Sequence, residues 1–227
     1  MAVVVIGANC SLGEAVIDKL LSKDVEVIAK EPSHSIRNQD VLKFSKTVLK
    51  AEGQGFTISF DGSDAEIVIG RDIIIHDLIP SRIDKWVAPE LLDWVNGIEP
   101  SEVKPRYWVS VIDAAEAISE IVRSHTIPNA VHLCGRREWL PEDSRSEIKM
   151  LWDRTSQGHT GDFTHETLFP KDLSGMKVKK ISQKQSERPD LEPLHDLLTK
   201  IGLEEGWRPL IPFRTALMSF IAGIWES

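Results

Sequence analysis

Gly7 and Gly13 follow the apolar run Val3-Val4-Val5-Ile6, with Cys10 midway between them and Ser11 and Leu12 next to it. Such spacing suits the holding of an anion. Glycines let backbone amides approach a phosphate, and a helix starting beyond the turn adds the positive end of its dipole. The usual occupant is a dinucleotide pyrophosphate, so Gly7, Cys10, Ser11, Leu12 and Gly13 are the candidate cofactor residues for NAD or NADP. Cys10 departs from the pattern, because it sets a side chain where backbone would meet phosphate. Glu31 ends the next apolar stretch, Val25 to Ala29, where a carboxylate accepts hydrogen bonds from a ribose; its neighbour Lys30 leaves NAD against NADP open.

Other reactive side chains form weaker patterns. His159, Asp162 and His165 stand close in sequence, but their spacing fits no helical metal site, and no metal is expected. His76 closes an apolar run and reads as a half-buried structural histidine. Cys10 and Cys134 are too far apart for a Cys-x-x-Cys motif and indicate neither a disulfide framework nor a zinc site. There is no Gly-x-Ser-x-Gly elbow and no Gly-Lys-Ser/Thr phosphate loop, which removes the common hydrolase and NTPase classes.

The elements that must position these groups alternate between strand and helix. Val3 to Ile6 reads as a parallel strand buried on both faces. Leu12, Val16, Leu20 and Leu21 recur at helical spacing, with Ser11 placed as the cap. Val25 to Ala29 completes a βαβ unit. A helix is expected over 41–52, extended segments at 56–60, 66–69 and 72–75, helices near 87–95 and 114–122, and a short strand at 130–133. Residues 136–184 read as polar and loop-rich, and 191–227 as two helices around Gly206-Trp207-Arg208-Pro209. The pattern predicts an α/β fold, a Rossmann-type doubly wound and mostly parallel sheet with a small helical and loop-rich C-terminal lobe, divided as 1–135 and 136–227.

A chain of 227 residues with net charge −8 suits one such core and disfavours nucleic acid or an anionic membrane as partner. No basic region precedes the first apolar run, so no signal peptide is expected, and Thr215 to Trp225 is too short to span a bilayer. A reducing, cytoplasmic setting is expected, with assembly into a homo-oligomer left open.

Three stretches together resemble the extended short-chain dehydrogenase/reductase family, in its nucleotide-sugar-modifying branch of epimerases, dehydratases and UDP-glucuronate decarboxylases. One is the Gly7–Gly13 head. The second is Arg106-Tyr107-Trp108-Val109-Ser110-Val111-Ile112-Asp113-Ala114-Ala115-Glu116-Ala117, and the third is Arg188-Pro189-Asp190-Leu191 with the closing Gly206-Trp207-Arg208-Pro209. The resemblance implies that Arg106 and Arg188 hold a sugar-nucleotide diphosphate. Read as residues, Asp113 and Asp190 are placed to cap helices rather than to touch ligand, and Trp207 to pack in the core.

The family's Tyr-x-x-x-Lys pair is absent: the sole tyrosine is Tyr107, and the residue four places on is Val111. Either Leu42-Lys43-Phe44-Ser45-Lys46 is its echo, with Lys46 surviving, or the family's middle section is missing. The catalytic residues are therefore unknown. The expected function is binding of a dinucleotide, nucleotide or nucleotide sugar without the usual chemistry. An active enzyme with a reassigned acid/base and a non-catalytic interaction scaffold stay open beside it.

Overall fold

Three of the four β-branched residues of β1 (Val3–Ile6) are fully buried, and the strand has a parallel partner on each side. The computed structural model describes residues 2–29, 46–47, 49–100, 103–160 (backbone only for 157–160) and 188–225. With β2 (Val27–Ala29), β3 (Leu49–Lys50), β4 (Phe56–Ser59) and β5 (Ile67–Val68), it forms a five-stranded sheet ordered β3-β2-β1-β4-β5, parallel throughout. Helix α1 (Ser11–Ser22) is the crossover from β1 to β2 and buries Leu12, Val16, Ile17, Leu20 and Leu21. This is the Rossmann-type α/β arrangement.

Beyond β5, β6 (Ile73–Ile75) pairs in parallel with β9 (Val131–Leu133), and a parallel bridge from Ile69 to Ile73 joins that pair to the main sheet. β7 (Leu78–Ile79) pairs in parallel with β8 (Val109–Ser110). The carboxyl ends of β1, β4, β6 and β9 therefore share one edge. Residues 60–66 alone connect β4 to β5, with no helix between them. A parallel crossover ordinarily takes about a dozen residues or more. Here β5 starts level with the end of β4, Ile58 opposite Ile67, so the chain retreats only a short step.

Four further helices complete the described fold after α2 (Pro89–Val95): α3 (Val111–Arg123), α4 (Pro141–Thr160), α5 (Glu192–Lys200) and α6 (Phe213–Trp225). α1 lies against α3, where Lys23 Nζ meets Glu116 and Glu120 at 2.6 Å each and Lys19 Nζ meets Glu116 at 3.0 Å. Burial pushes the Glu116 carboxyl up, but the two lysines outweigh it and hold it below its ordinary value. One apolar cluster joins the sheet, α1 and α3 with Leu194, Leu198 and Trp207; another joins Leu91, Trp94, Trp108, Ile148, Leu151, Leu217 and Phe220.

Two elements differ from the sequence-based expectation. Instead of a helix running through 52, Leu49–Lys50 is a strand, held by pairing to Val27 and Ile28 of β2. Residues 41–45 and 48 lie outside the described residues. The second difference is α4, a helix in a stretch read as loop. Pro141 at its start and Glu142 and Asp143 in its first turn favour initiation, while Ile148 and Leu151, one turn apart, anchor it to the core. Among the described residues, no helix is long and apolar enough to cross a membrane.

Candidate functional site

The carboxyl edge begins at the turn after β1. Gly7 has φ +65°, and a Cβ there would lie 2.4 Å from Cγ of Asp61, so both the backbone and the space require glycine. Asp61 Oδ1 accepts from the Ser63 amide and the Ser59 hydroxyl, both at 2.9 Å. The Ser63 contacts, then that of Ser59, hold the Asp61 carboxyl below its usual range. A Cβ on Gly13 would come within 2.6 Å of Ala8 Cα, so this glycine lets α1 pack close to the turn. Leu12, fully buried, anchors the first turn of α1 in the core.

Ser11 is not the cap of α1. The N-cap is Cys10, extended at φ −125° and ψ 160°, with no side-chain capping bond. The cap arrives from far along the chain: the Ser11 amide donates to Asp84 Oδ2 at 2.6 Å, while Asp84 Oδ1 accepts from the Trp86 amide at 2.9 Å. Ser11 itself is 1% exposed, and its hydroxyl has no hydrogen-bond partner. Trp86 Nε1 donates to Cys10 Sγ at 3.4 Å. Arg82 donates to the Asn9 carbonyl at 3.1 Å and to Glu14 at 2.7 Å, and Lys85 Nζ donates to the Phe60 carbonyl. Residues 82–86 thus lie over the turn and are tied down on both sides of it. A pyrophosphate here needs the Ser11 amide and the space above Gly7, and Asp84 and Asp61 hold them. The residues present do not fit a bound dinucleotide at this turn.

Farther along the edge, the two sequence-predicted arginines have different surroundings. Arg106 is committed within the protein, with Nη1 on Asp77 at 2.8 Å and Nε on Glu90 at 2.6 Å; its guanidinium also lies over the Trp108 ring. Burial works against the Arg106 charge, but the two carboxylates outweigh it and raise its pKa. Arg188 is exposed and borders a cavity of about 390 Å³ together with Arg136, Asp190, His195 and Trp207. His195 Nδ1 accepts from the Trp207 amide at 3.2 Å, and Trp207 Nε1 donates to the Cys134 carbonyl at 2.9 Å. Trp207 is 4% exposed, within the core as expected. Burial, with Asp77 adding to it and Arg188 opposing, pushes the Cys134 thiol up to about 12.

The remaining sequence-predicted residues are dispersed. Tyr107 is 9% exposed, with its hydroxyl 3.4 Å from Glu138. The Lys46 amide donates to Asp24 Oδ1, at the amino end of the sheet and opposite the Gly7 turn, so Lys46 echoes no catalytic lysine. His76 and His132 form a pair at 2.9 Å, and burial first, then His132, lowers the pKa of His76. Asp113 caps nothing on its own helix: Ser110 caps α3, and Asp113 instead accepts from the Leu210 and Ile211 amides at 2.9 Å each. Asp190 accepts from the Glu192 amide at 3.0 Å, at the start of α5. Glu31, Asp162 and His165 lie outside the described residues, as does the His159 side chain. Among the described residues, no group of three or more His, Cys, Asp and Glu side chains could hold a metal.

No family model matches the sequence, and no curated protein matches it either. Solved structures do match the fold. The dTDP-glucose 4,6-dehydratase of Bacillus anthracis, solved with NAD, aligns over 100% of this chain and 97% of its own, with TM-score 0.56 and 10% identity. The chain shares its fold. More distant are WbmF of Bordetella bronchiseptica with NAD+ and UDP, at 11% identity, 98% and 91% coverage and TM-score 0.48, and the Thermus thermophilus UDP-glucose 4-epimerase with NAD, at 10%, 98%, 98% and 0.46. The Rossmann-type α/β fold of that dehydratase is thus present here.

The sequence reading missed Asp84, Trp86, Asp61, Arg136 and His195. Of these, Asp61 stands two residues after β4 and Arg136 three after β9, close to strand ends, a position that marks ligand edges in parallel sheets.

Proposed function

We propose that this protein is a catalytically silent relative, in fold, of the nucleotide-sugar-modifying dehydrogenases, and that it binds the phosphorylated part of a nucleotide or nucleotide sugar at the Arg188 end of the carboxyl edge. The observation that carries this reading is the cavity of about 390 Å³ at which Arg136 and Arg188 have no hydrogen bond or ion pair among the described residues. Two guanidinium groups suit diphosphate oxygens, because each offers a planar fork of donors. Silence is supported by the sequence, in which Val111 and not a lysine stands four places after the sole tyrosine, Tyr107, and by the helix-free connection of β4 to β5.

The test is a fluorescence titration with UDP, UDP-glucuronate and NAD, reported by Trp207 at the cavity wall. UDP is expected to change the emission in a saturable way, and the change is expected to be lost in Arg188→Ala. An unchanged response in that variant moves the ligand elsewhere. A second reading, a non-catalytic interaction scaffold, is favoured by the self-filled Gly7 turn, and silence toward all three ligands selects it.

A further inference from the structure

We infer that residues 82–86 are a built-in occupant of the dinucleotide turn, with the Asp84 carboxylate standing where the fold would otherwise hold a phosphate. The inference goes beyond the proposed function, because it concerns the other end of the edge and predicts which ligand the protein refuses. The first support is charge and distance. Asp84 Oδ2 lies 2.6 Å from the Ser11 amide, so a negative oxygen already satisfies the helix start, and a phosphate brought there would face both Asp84 and Asp61.

The second support is anchorage. Arg82 reaches Asn9 and Glu14 on one side of Gly7, and Lys85 reaches Phe60 on the other. Trp86 covers Cys10, the residue standing at the midpoint of the turn. A cysteine there is tolerable because the indole, and not a phosphate, is its neighbour. The third support is the Ser11 hydroxyl, buried and without a partner. A carboxylate bound through one oxygen satisfies the amide and leaves this donor over, whereas a phosphate has further oxygens to offer it.

The experiment uses the full chain in an Arg188→Ala background, which removes the diphosphate site at the other end, either wild type at position 84 or as Asp84→Ala and Asp84→Asn, with inorganic pyrophosphate and NAD as probes. With position 84 wild type, no change in melting temperature is expected with either probe at millimolar concentration. In Asp84→Ala the Ser11 amide is expected to exchange with solvent about five- to tenfold faster, as for a lost helix cap. The melting temperature is expected to fall by about 2–4 °C. Pyrophosphate is then expected to restore it in a saturable way. Should Asp84→Ala fail to fold, Asp84→Asn keeps an acceptor without the charge, and pyrophosphate is expected to stabilise it where the chain with Asp84 in place gave nothing. Saturable stabilisation by NAD with Asp84 in place would overturn the inference, as would unchanged Ser11 exchange in Asp84→Ala, or folded variants indifferent to pyrophosphate. A UDP response lost in Arg188→Ala leaves the inference untouched, so the two readings fail separately.

Discussion

At the Gly7 turn the Ser11 amide faces Asp84 and Gly7 faces Asp61, whereas at the other end of the same edge Arg136 and Arg188 face a cavity of about 390 Å³. Both ends owe their position to the carboxyl ends of parallel strands, with β6 and β9 reaching farther than β1 and β4. Their difference comes from the connecting segments: residues 82–86 lie over the first end, while residues 188–191, ahead of α5 (Glu192–Lys200), border the second. A sheet edge thus offers several addresses, and the loops decide which of them a ligand can reach.

The contrast can be broken most severely from the open end. Trp207→Ala removes a buried indole and its hydrogen bond to the Cys134 carbonyl, and a loss of about 3–5 kcal/mol is expected in urea unfolding. The closed end is tested next by Gly7→Ala, which adds a left-handed penalty of about 1–2 kcal/mol to a collision with Asp61. In the double variant Gly7→Ala/Asp61→Ala only the collision should be relieved, leaving a deficit that a double-mutant cycle measures. Arg188→Ala should leave stability within about 0.5 kcal/mol of wild type, being exposed. Its dissociation constant for UDP should rise about tenfold or more, as for a lost hydrogen bond to a charged group.

The smallest effect is a pH dependence. His76 has its pKa lowered from 6.5 by burial and by His132, so the unfolded chain takes up the proton first. Stability is therefore full above pH 6.5 and declines as the pH falls toward the lowered value. His76→Gln should flatten that decline, seen as melting temperatures that vary less between pH 7 and pH 5.

Local pattern was enough where partners are local or repetitive. Val3 to Ile6 announces a buried strand, and Leu12, Val16, Leu20 and Leu21 announce the helix packed on it. Leu49–Lys50 was misread because two residues carry no period, and only the pairing to β2 makes them a strand. The cap of α1 was unreadable for a different reason: Asp84 lies 73 residues from Ser11, and nothing in Arg82-Ile83-Asp84-Lys85-Trp86 distinguishes it from an ordinary charged loop. The arginine motifs were legible as motifs, but only contacts separate Arg106, enclosed by Asp77 and Glu90, from Arg188 at the cavity.

Asp113 carries a consequence for the order of assembly. Its carboxylate, pushed up by burial, accepts from the amides of Leu210 and Ile211, 97 and 98 residues later. On an emerging chain, α3 (Val111–Arg123) is complete long before those amides exist, so its first turn stays without its long-range partners until synthesis has passed residue 211. The start of α3 is thus completed only once residue 211 has been made, and ribosome-bound intermediates stalled before residue 210 should remain open to protease at the start of α3.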